Sequence, residues 1–221
     1  MTPDDPPAPD DPPAPADRLT ALLDAARRDG RRRVLGIAGS PGAGKSTLAS
    51  TVADGRDAEV AVVGMDGWHL ANSTLDRLGR RDRKGAPDTF DAAGYVAFLR
   101  RLSDRSTTVW APEYRRGDLE EAVGGVVAIA PEVLVVVTEG NYLLLDEPPW
   151  DGVRPLLDEV WFVAPDEPRR REWLIARHER HGRGREEAVA RADGSDAANA
   201  RLVAATRHRA DVVLVDDVRP R

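Results

Sequence analysis

Apolar residues along the chain fall into short β-branched runs separated by amphipathic stretches. Val34–Ala38, Glu59–Gly64, Val133–Thr138, Val160–Val163 and Val212–Val215 read as buried strands. Between them, Asp17–Asp29 places Leu19, Leu22, Leu23 and Ala26 on one helical face, and Gly30 can end that helix. Ala92–Leu102 carries Tyr95, Phe98, Leu99 and Leu102 on one side. Pro168–His181 predicts a long helix closed by Gly182 and Gly184, and Ala197–Arg209 another. Trp150–Leu157 predicts a short helix. Residues 71–90 are polar and show no clear period. Thr107–Trp110 and Val126–Ala130 are further short strand candidates, with Gly124 and Gly125 marking a turn before the second. Apolar strands that alternate with helices predict an α/β fold: a mostly parallel five-stranded sheet with helices on both faces. The two extra strands predict a small flap.

The first strand leads into the chemistry. Gly39–Ser46 fits G-x-x-x-x-G-K-[ST] between a strand and a helix, the setting that motif requires. Glycines at 39, 42 and 44 let the backbone approach an anion closely. The N–H groups of Ser40, Ala43 and their neighbours, with the helix N-terminus at Thr47, offer partial positive charge to phosphate oxygens. Lys45 suits the β- and γ-phosphates, and the Ser46 hydroxyl suits Mg²⁺.

Ligands in open α/β sheets sit beyond the carboxyl ends of the strands. Asp66 follows the second strand and Glu139 the third core strand. Phosphoryl transfer needs charge on the γ-phosphate and an acceptor whose proton can leave. Asp66 suits the base, against a bland reading as a turn or capping carboxylate. Glu139 suits a Mg²⁺-water ligand or a second anchor for the acceptor hydroxyl, against a structural ion pair. The arginine-rich helix suits a lid lending charge to phosphate, with Arg177 and Arg183 flanking its glycine hinge, although any single arginine there reads more simply as solvated. His69, Trp68 and Trp110 read first as packing. His178 and His181 can share a helix face, but no further metal ligand is evident nearby.

Composition sharpens this picture at a few points. Net charge is -6 over 221 residues, which argues against a nucleic-acid partner or an anionic membrane surface. There is no cysteine, hence no thiolate site. No apolar run approaches the roughly 18 residues of a membrane span, and the acidic, proline-rich start is unlike a signal peptide, so the expectation is a cytoplasmic protein. Residues 4–15 are DDPPAP written twice, so residues 1–16 predict a disordered tail ahead of a single domain over 17–221. Of the 32 basic residues only Lys45 and Lys84 are lysines. That bias suggests lysine is kept where the planar fork of arginine will not serve, and it singles out Lys84.

GSPGAGKST, MDGWH, RKGAPDTFD, P-x-Y at Pro112 and Tyr114, and TEGNYLLL occur here in that order. Together they resemble the P-loop kinase group containing uridine kinases, phosphoribulokinases and bacterial pantothenate kinases, over about Val34 to Val215. RKGAPDTFD is especially similar to the pantothenate-kinase segment K-G-F-P-E-S-Y-D, and the chain as a whole looks most like small bacterial nucleoside-kinase-like or fructokinase-like proteins. The resemblance implies a P-loop kinase fold with an acceptor insert over about 67–130 and a lid over about 168–185. It implies ATP and Mg²⁺, a small hydroxyl metabolite as acceptor (nucleoside, sugar or pantothenate-like alcohol), and room for a homodimer. Asp66 is then the catalytic base, and Glu139 lies by metal and acceptor. His69, Lys84, Asp88, Asp91, Tyr114 and Arg115 border the acceptor, Arg177 to Arg183 form the lid, and Asn199 lies where the family closes over adenine. A nucleotide-binding regulator with little transfer activity is the alternative of another class.

Overall fold

The computed structural model describes residues 14–117 and 119–215; of the tail expected over 1–16, residues 1–13 lie outside them, while Pro15 and Ala16 already belong to the first helix, which proline can open. Five parallel strands form the central sheet in the order β2-β5-β1-β6-β7: β1 (Arg33–Gly39), β2 (Val60–Gly64), β5 (Val135–Gly140), β6 (Glu159–Val163) and β7 (Val212–Leu214). Alternation along these strands feeds two cores, because successive side chains point to opposite faces. Leu35, Ile37, Val135, Val137, Trp161 and Val163 pack on one face with α1 (Pro15–Asp29) and α2 (Lys45–Ala53). Val34, Ala38, Val136, Val160 and Phe162 pack on the other with α4 (Ala92–Arg101) and α7 (Ser195–Ala204). Both faces are covered, which is why the strands read as continuous apolar runs.

Helix α1 begins at Pro15, whose missing N–H costs nothing in a first turn, and ends at Gly30 (φ 72°), whose N–H donates to Ala26 O. Leu19 and Leu23 of α1 are almost fully buried, so truncating either to alanine costs about 2–5 kcal/mol.

Strands β3 (Val109–Arg115) and β4 (Glu121–Ile129) pair as a separate antiparallel hairpin, the expected flap, longer at both strands than the apolar runs suggest. The expected turn at Gly124 and Gly125 is not there. Both glycines lie inside β4, at the register shift opposite Pro112, and Gly125 has φ 70°. Proline cannot donate to the ladder, so the partner strand bulges where glycine allows it. The chain reverses between Arg115 and Glu121 instead, with Gly117 (φ 84°) and Glu120 (φ 48°) in left-handed conformations.

Other expectations shift for local reasons. Trp150–Leu157 forms two 3-10 turns, Trp150–Gly152 and Arg154–Leu156, since Pro155 removes a donor inside the would-be helix. The polar stretch 71–90 holds α3 (Asn72–Arg77) and a 3-10 turn at Pro87–Thr89. The expected helix over 197–209 stops at Ala204 and is followed by a 3-10 turn at Arg207–Arg209. Beyond the arginine-rich α5 (Glu167–Arg180) the chain folds a further helix, α6 (Arg185–Asp193), which packs Ala188 and Ala192 against Leu174 and Ile175.

Candidate active site

The end of β1, the phosphate loop and α2 form one continuous piece. Gly42 (φ 82°) and Gly44 (φ 91°) occupy conformations that side chains rarely adopt. A Cβ at Gly42 would also lie 2.9 Å from Leu174 Cβ and 3.1 Å from Arg170 O, because α5 runs directly over the loop. Arg170 fixes that contact: buried, it donates to Pro41 O and pairs with Glu167 at 2.6 Å. From the start of α2, Lys45 Nζ donates to Ser40 O (3.0 Å) and to Asn141 Oδ1 (2.8 Å) at the end of β5. Burial outweighs the pull of Glu139 and brings the Lys45 ammonium down to about 8. Ser46 Oγ donates to Glu139 Oε1 at 2.9 Å. Ala43 is fully buried, and Ser40 donates its hydroxyl to Ala200 O (3.3 Å).

Strand pairing sets the carboxylates. Gly64 of β2 lies opposite Glu139 of β5, so both strands end on the same side and Asp66 comes just beyond. Asp66 sits in a 3-10 turn (Met65–Trp68) with its carboxylate held by Arg116. Burial pushes Asp66 up, but Arg116, then His69, Lys45 and Arg177, more than cancel this and hold it at about 2. Burial raises Glu139 above its usual range despite Lys45. His69 donates Nδ1–H to Asp66 O (2.9 Å) and packs against Phe90 and Tyr114; its burial lowers its pKa.

These groups face a cavity of about 210 Å³ whose lining includes Lys45, Ser46, Asp66, His69, Lys84, Tyr114, Arg116, Glu139, Arg177 and Arg183. A second cavity of about 190 Å³ lies against Gly42, Gly44, Thr47, Trp173 and Arg180. Lys45, Ser46, Arg177 and His181 line both. Both lysines of the chain thus stand in the first cavity. Several arginines instead use their fork on main-chain carbonyls: Arg32, for example, donates to Val133 O, Leu102 O and Ala130 O.

Three of the residues expected to border an acceptor stand away from the cavity. Arg115 points away from the cavity and pairs with Glu113 at 3.0 Å; strand alternation puts Tyr114 inward and Arg115 outward, and it is the next residue, Arg116, that enters. Asp88 is bound by Arg80 and Arg83 outside the cavity lining. Asp91 caps α4, accepting from Gly94 N at 2.8 Å. Lys84 Nζ donates to Asn72 Oδ1 (2.7 Å) and Glu120 O, 4.9 Å from the centre of the Tyr114 ring. Tyr114 donates its hydroxyl to Glu120. Asn199 is buried on this side, donating to Gly85 O at 3.2 Å, and not beside the second cavity. Arg183 is close to His178 Nδ1 (3.2 Å) and pairs with Glu187, while His178 Nε2 lies 2.7 Å from Asp196. Sequence reasoning missed Arg116, Glu120, Asn141 and Asp196; period-two alternation from Tyr114 is the signal that points to Arg116.

Among the described residues no cluster of three or more His, Cys, Asp or Glu side chains is set to hold a metal. The Ser46 hydroxyl and Glu139 carboxylate, 2.9 Å apart, are hard oxygen donors. They fit Mg²⁺, which takes one or two protein oxygens and completes its shell with phosphate and water.

No family model matches the chain. It is 30% identical over 198 residues to the “Putative uridine kinase” of Schizosaccharomyces pombe, covering 83% of this chain and 83% of that protein. It is 31% identical to a pantothenate kinase of Mesorhizobium japonicum over 65% of this chain and 48% of that one. Among solved structures, a “putative fructose transport system kinase” from Silicibacter superposes with a TM-score of 0.79 at 33% identity, over 91% of this chain and 100% of that one.

Proposed function

The chain belongs to the uridine kinase-like group of P-loop kinases, and from that premise we propose that it moves the γ-phosphoryl group of ATP to a hydroxyl of a small metabolite. The observation that supports this most is the pair of cavities meeting at Lys45, Ser46 and Arg177. One is walled by phosphate-loop glycines and suits the polyphosphate; the other is walled by Asp66, Lys84 and Tyr114 and suits the alcohol. The cations at their boundary stand where the transferring group would pass.

Each residue then has a physical role. Loop amides and the α2 N-terminus hold the β-phosphate. Lys45 and Arg177 place positive charge on the oxygens that gain negative charge in the transition state. Arg177 is half-buried, with its pKa lowered by burial and next by Arg116, and no carboxylate pairs with it among the described residues. Ser46 and Glu139 would hold Mg²⁺, which would offset phosphate negative charge. Asp66 takes the acceptor proton as the acceptor oxygen bonds to the γ-phosphorus and the bond from that phosphorus to the β–γ bridging oxygen breaks, releasing ADP. Arg116 must swing off Asp66 for that proton to arrive.

Transfer from γ-labelled ATP to a panel of alcohols, with wild type and Asp66→Asn compared, tests the proposal. Asp66→Asn should lower transfer about 10³-fold with nucleotide affinity within about threefold of wild type. Unchanged turnover removes Asp66 from the mechanism. A wild type that binds ATP yet phosphorylates nothing favours the regulator reading instead.

A further inference from the structure

The cavity is strongly cationic in an acidic protein. With the groups assigned to ATP set aside, Arg81, Lys84, Arg116, Arg183 and Arg191 remain around it; Asp66 pairs with Arg116, and the other carboxylates are Glu120 and Asp196. Those two are already engaged: Glu120 with Tyr114 and Gly117 N, and Asp196 with His178. Among the described residues Lys84 has no carboxylate within ion-pair distance, and Arg191 donates to Lys84 O. The Arg81 side chain makes no hydrogen bond or ion pair with any described residue, while its carbonyl accepts from Lys84 N (3.3 Å). Burial, then Arg81, lower the pKa of Lys84, and the opposing pull of Glu120 and Glu121 does not cancel this. Lys84 Nζ and the Arg116 guanidinium lie 4.9 Å and 5.3 Å from the centre of the same Tyr114 ring.

The seat is also fixed in place. Side chains hold successive carbonyls of the acceptor loop: Arg191 on Lys84 O, Asn199 and Tyr142 on Gly85 O, Trp150 on Pro87 O. A loop braced from α6, α7 and the end of β5 keeps like charges together where a free loop would spread them. At about 210 Å³ the cavity is below the roughly 300 Å³ at which sites for larger ligands begin.

We propose that the acceptor is a compact alcohol bearing its own anionic group, a carboxylate or a phosphate, seated between Lys84 and Arg116 over Tyr114 with its hydroxyl toward Asp66. This rests on the kinase reading. It adds a consequence for the base: an anion that takes Arg116 frees the Asp66 carboxylate, so the correct acceptor assembles the site as it binds. The transfer is the one already given, with ATP as donor and the acceptor anion unchanged.

Two measurements on the full chain test this. The first is transfer from γ-labelled ATP to D-glycerate, pantothenate and fructose 6-phosphate, with fructose and uridine as neutral comparators. The second is equilibrium binding of the same five compounds without nucleotide. At least one acid should exceed both neutral alcohols by about 100-fold in kcat/KM, and the carboxylate and phosphate arms distinguish the two anion types. Lys84→Gln should weaken binding of that acid about 10- to 100-fold, as for loss of a charge-assisted bond, with the KM for ATP unchanged. Arg81→Gln, at a side chain that no described residue engages, should weaken it less and keeps the test open if Lys84→Gln misfolds. Preference for fructose or uridine overturns the proposal and leaves the kinase reading standing. Binding and transfer of none of the three acids overturns it as well. An acid that binds but accepts no phosphate supports the anion seat and counts against the kinase reading.

Discussion

The two walls of the cavity are made differently. The phosphate wall is main chain: glycines in left-handed conformations, the first turn of α2, and α5 bolted across by Arg170. The acceptor wall is side chain: Lys84, Tyr114, Arg116 and Asn199, drawn from a loop, a hairpin and α7. Main-chain donors recognise any polyphosphate, since every residue carries the same N–H. Side-chain donors can be exchanged one at a time without disturbing the sheet. On the proposed function, the general reaction is invested in the first wall and the choice of acceptor in the second.

The largest break in this comparison comes from the one side chain essential to the first wall. Lys45→Met should reduce transfer about 10²- to 10³-fold, as for loss of a preorganised charge. It should also stabilise the fold. The folded pKa of Lys45, about 8, lies below its ordinary 10.5. Between those values the unfolded chain binds more protons than the folded one, so wild-type stability rises with pH from about 8 to 10.5. Below about 8 the folded state carries the full cost of a buried ammonium. Methionine removes that cost but leaves Ser40 O and Asn141 without their donor, so the net gain at pH 7 should be about 1–2 kcal/mol. Urea melts at pH 7 and pH 10 measure it; a destabilised variant at pH 7 would show that Lys45 holds the loop together rather than straining it.

The same division explains what could be read from the chain beforehand. The phosphate loop, Asp66 and Glu139 are local consequences of strands ending and were legible from residues 34–50, 66 and 139. The sheet was legible because its strands are apolar on both faces. The acceptor wall depends on contacts across the chain, such as Arg191 with Lys84 and Asn199 with Gly85, which no local pattern announces. Helix α6 hides because its buried face is alanine, too small to give a strong period. Asp88 and Asp91 were misplaced because a carboxylate in a motif looks the same whether it binds arginine, caps a helix or meets a ligand.

The finest test lies within one dipeptide. Arg115 and Arg116 differ only in which way the end of β3 turns them. Arg115→Ala should leave kcat/KM within about twofold of wild type, since an exposed pair with Glu113 contributes little. Arg116→Gln should cost about 10- to 100-fold, the range expected for loss of a charge-assisted bond to the base. The pH profile separates this from a simple packing loss. Arg116 is the first of the charges that lower the pKa of Asp66. Removing it raises that pKa, so the fraction of ionised base falls at a higher pH than in wild type. The acid limb of kcat/KM should therefore move upward for Arg116→Gln and stay in place for Arg115→Ala. If both variants move the limb alike, the inward turn of Arg116 does not govern the base, and the acceptor wall has no privileged arginine.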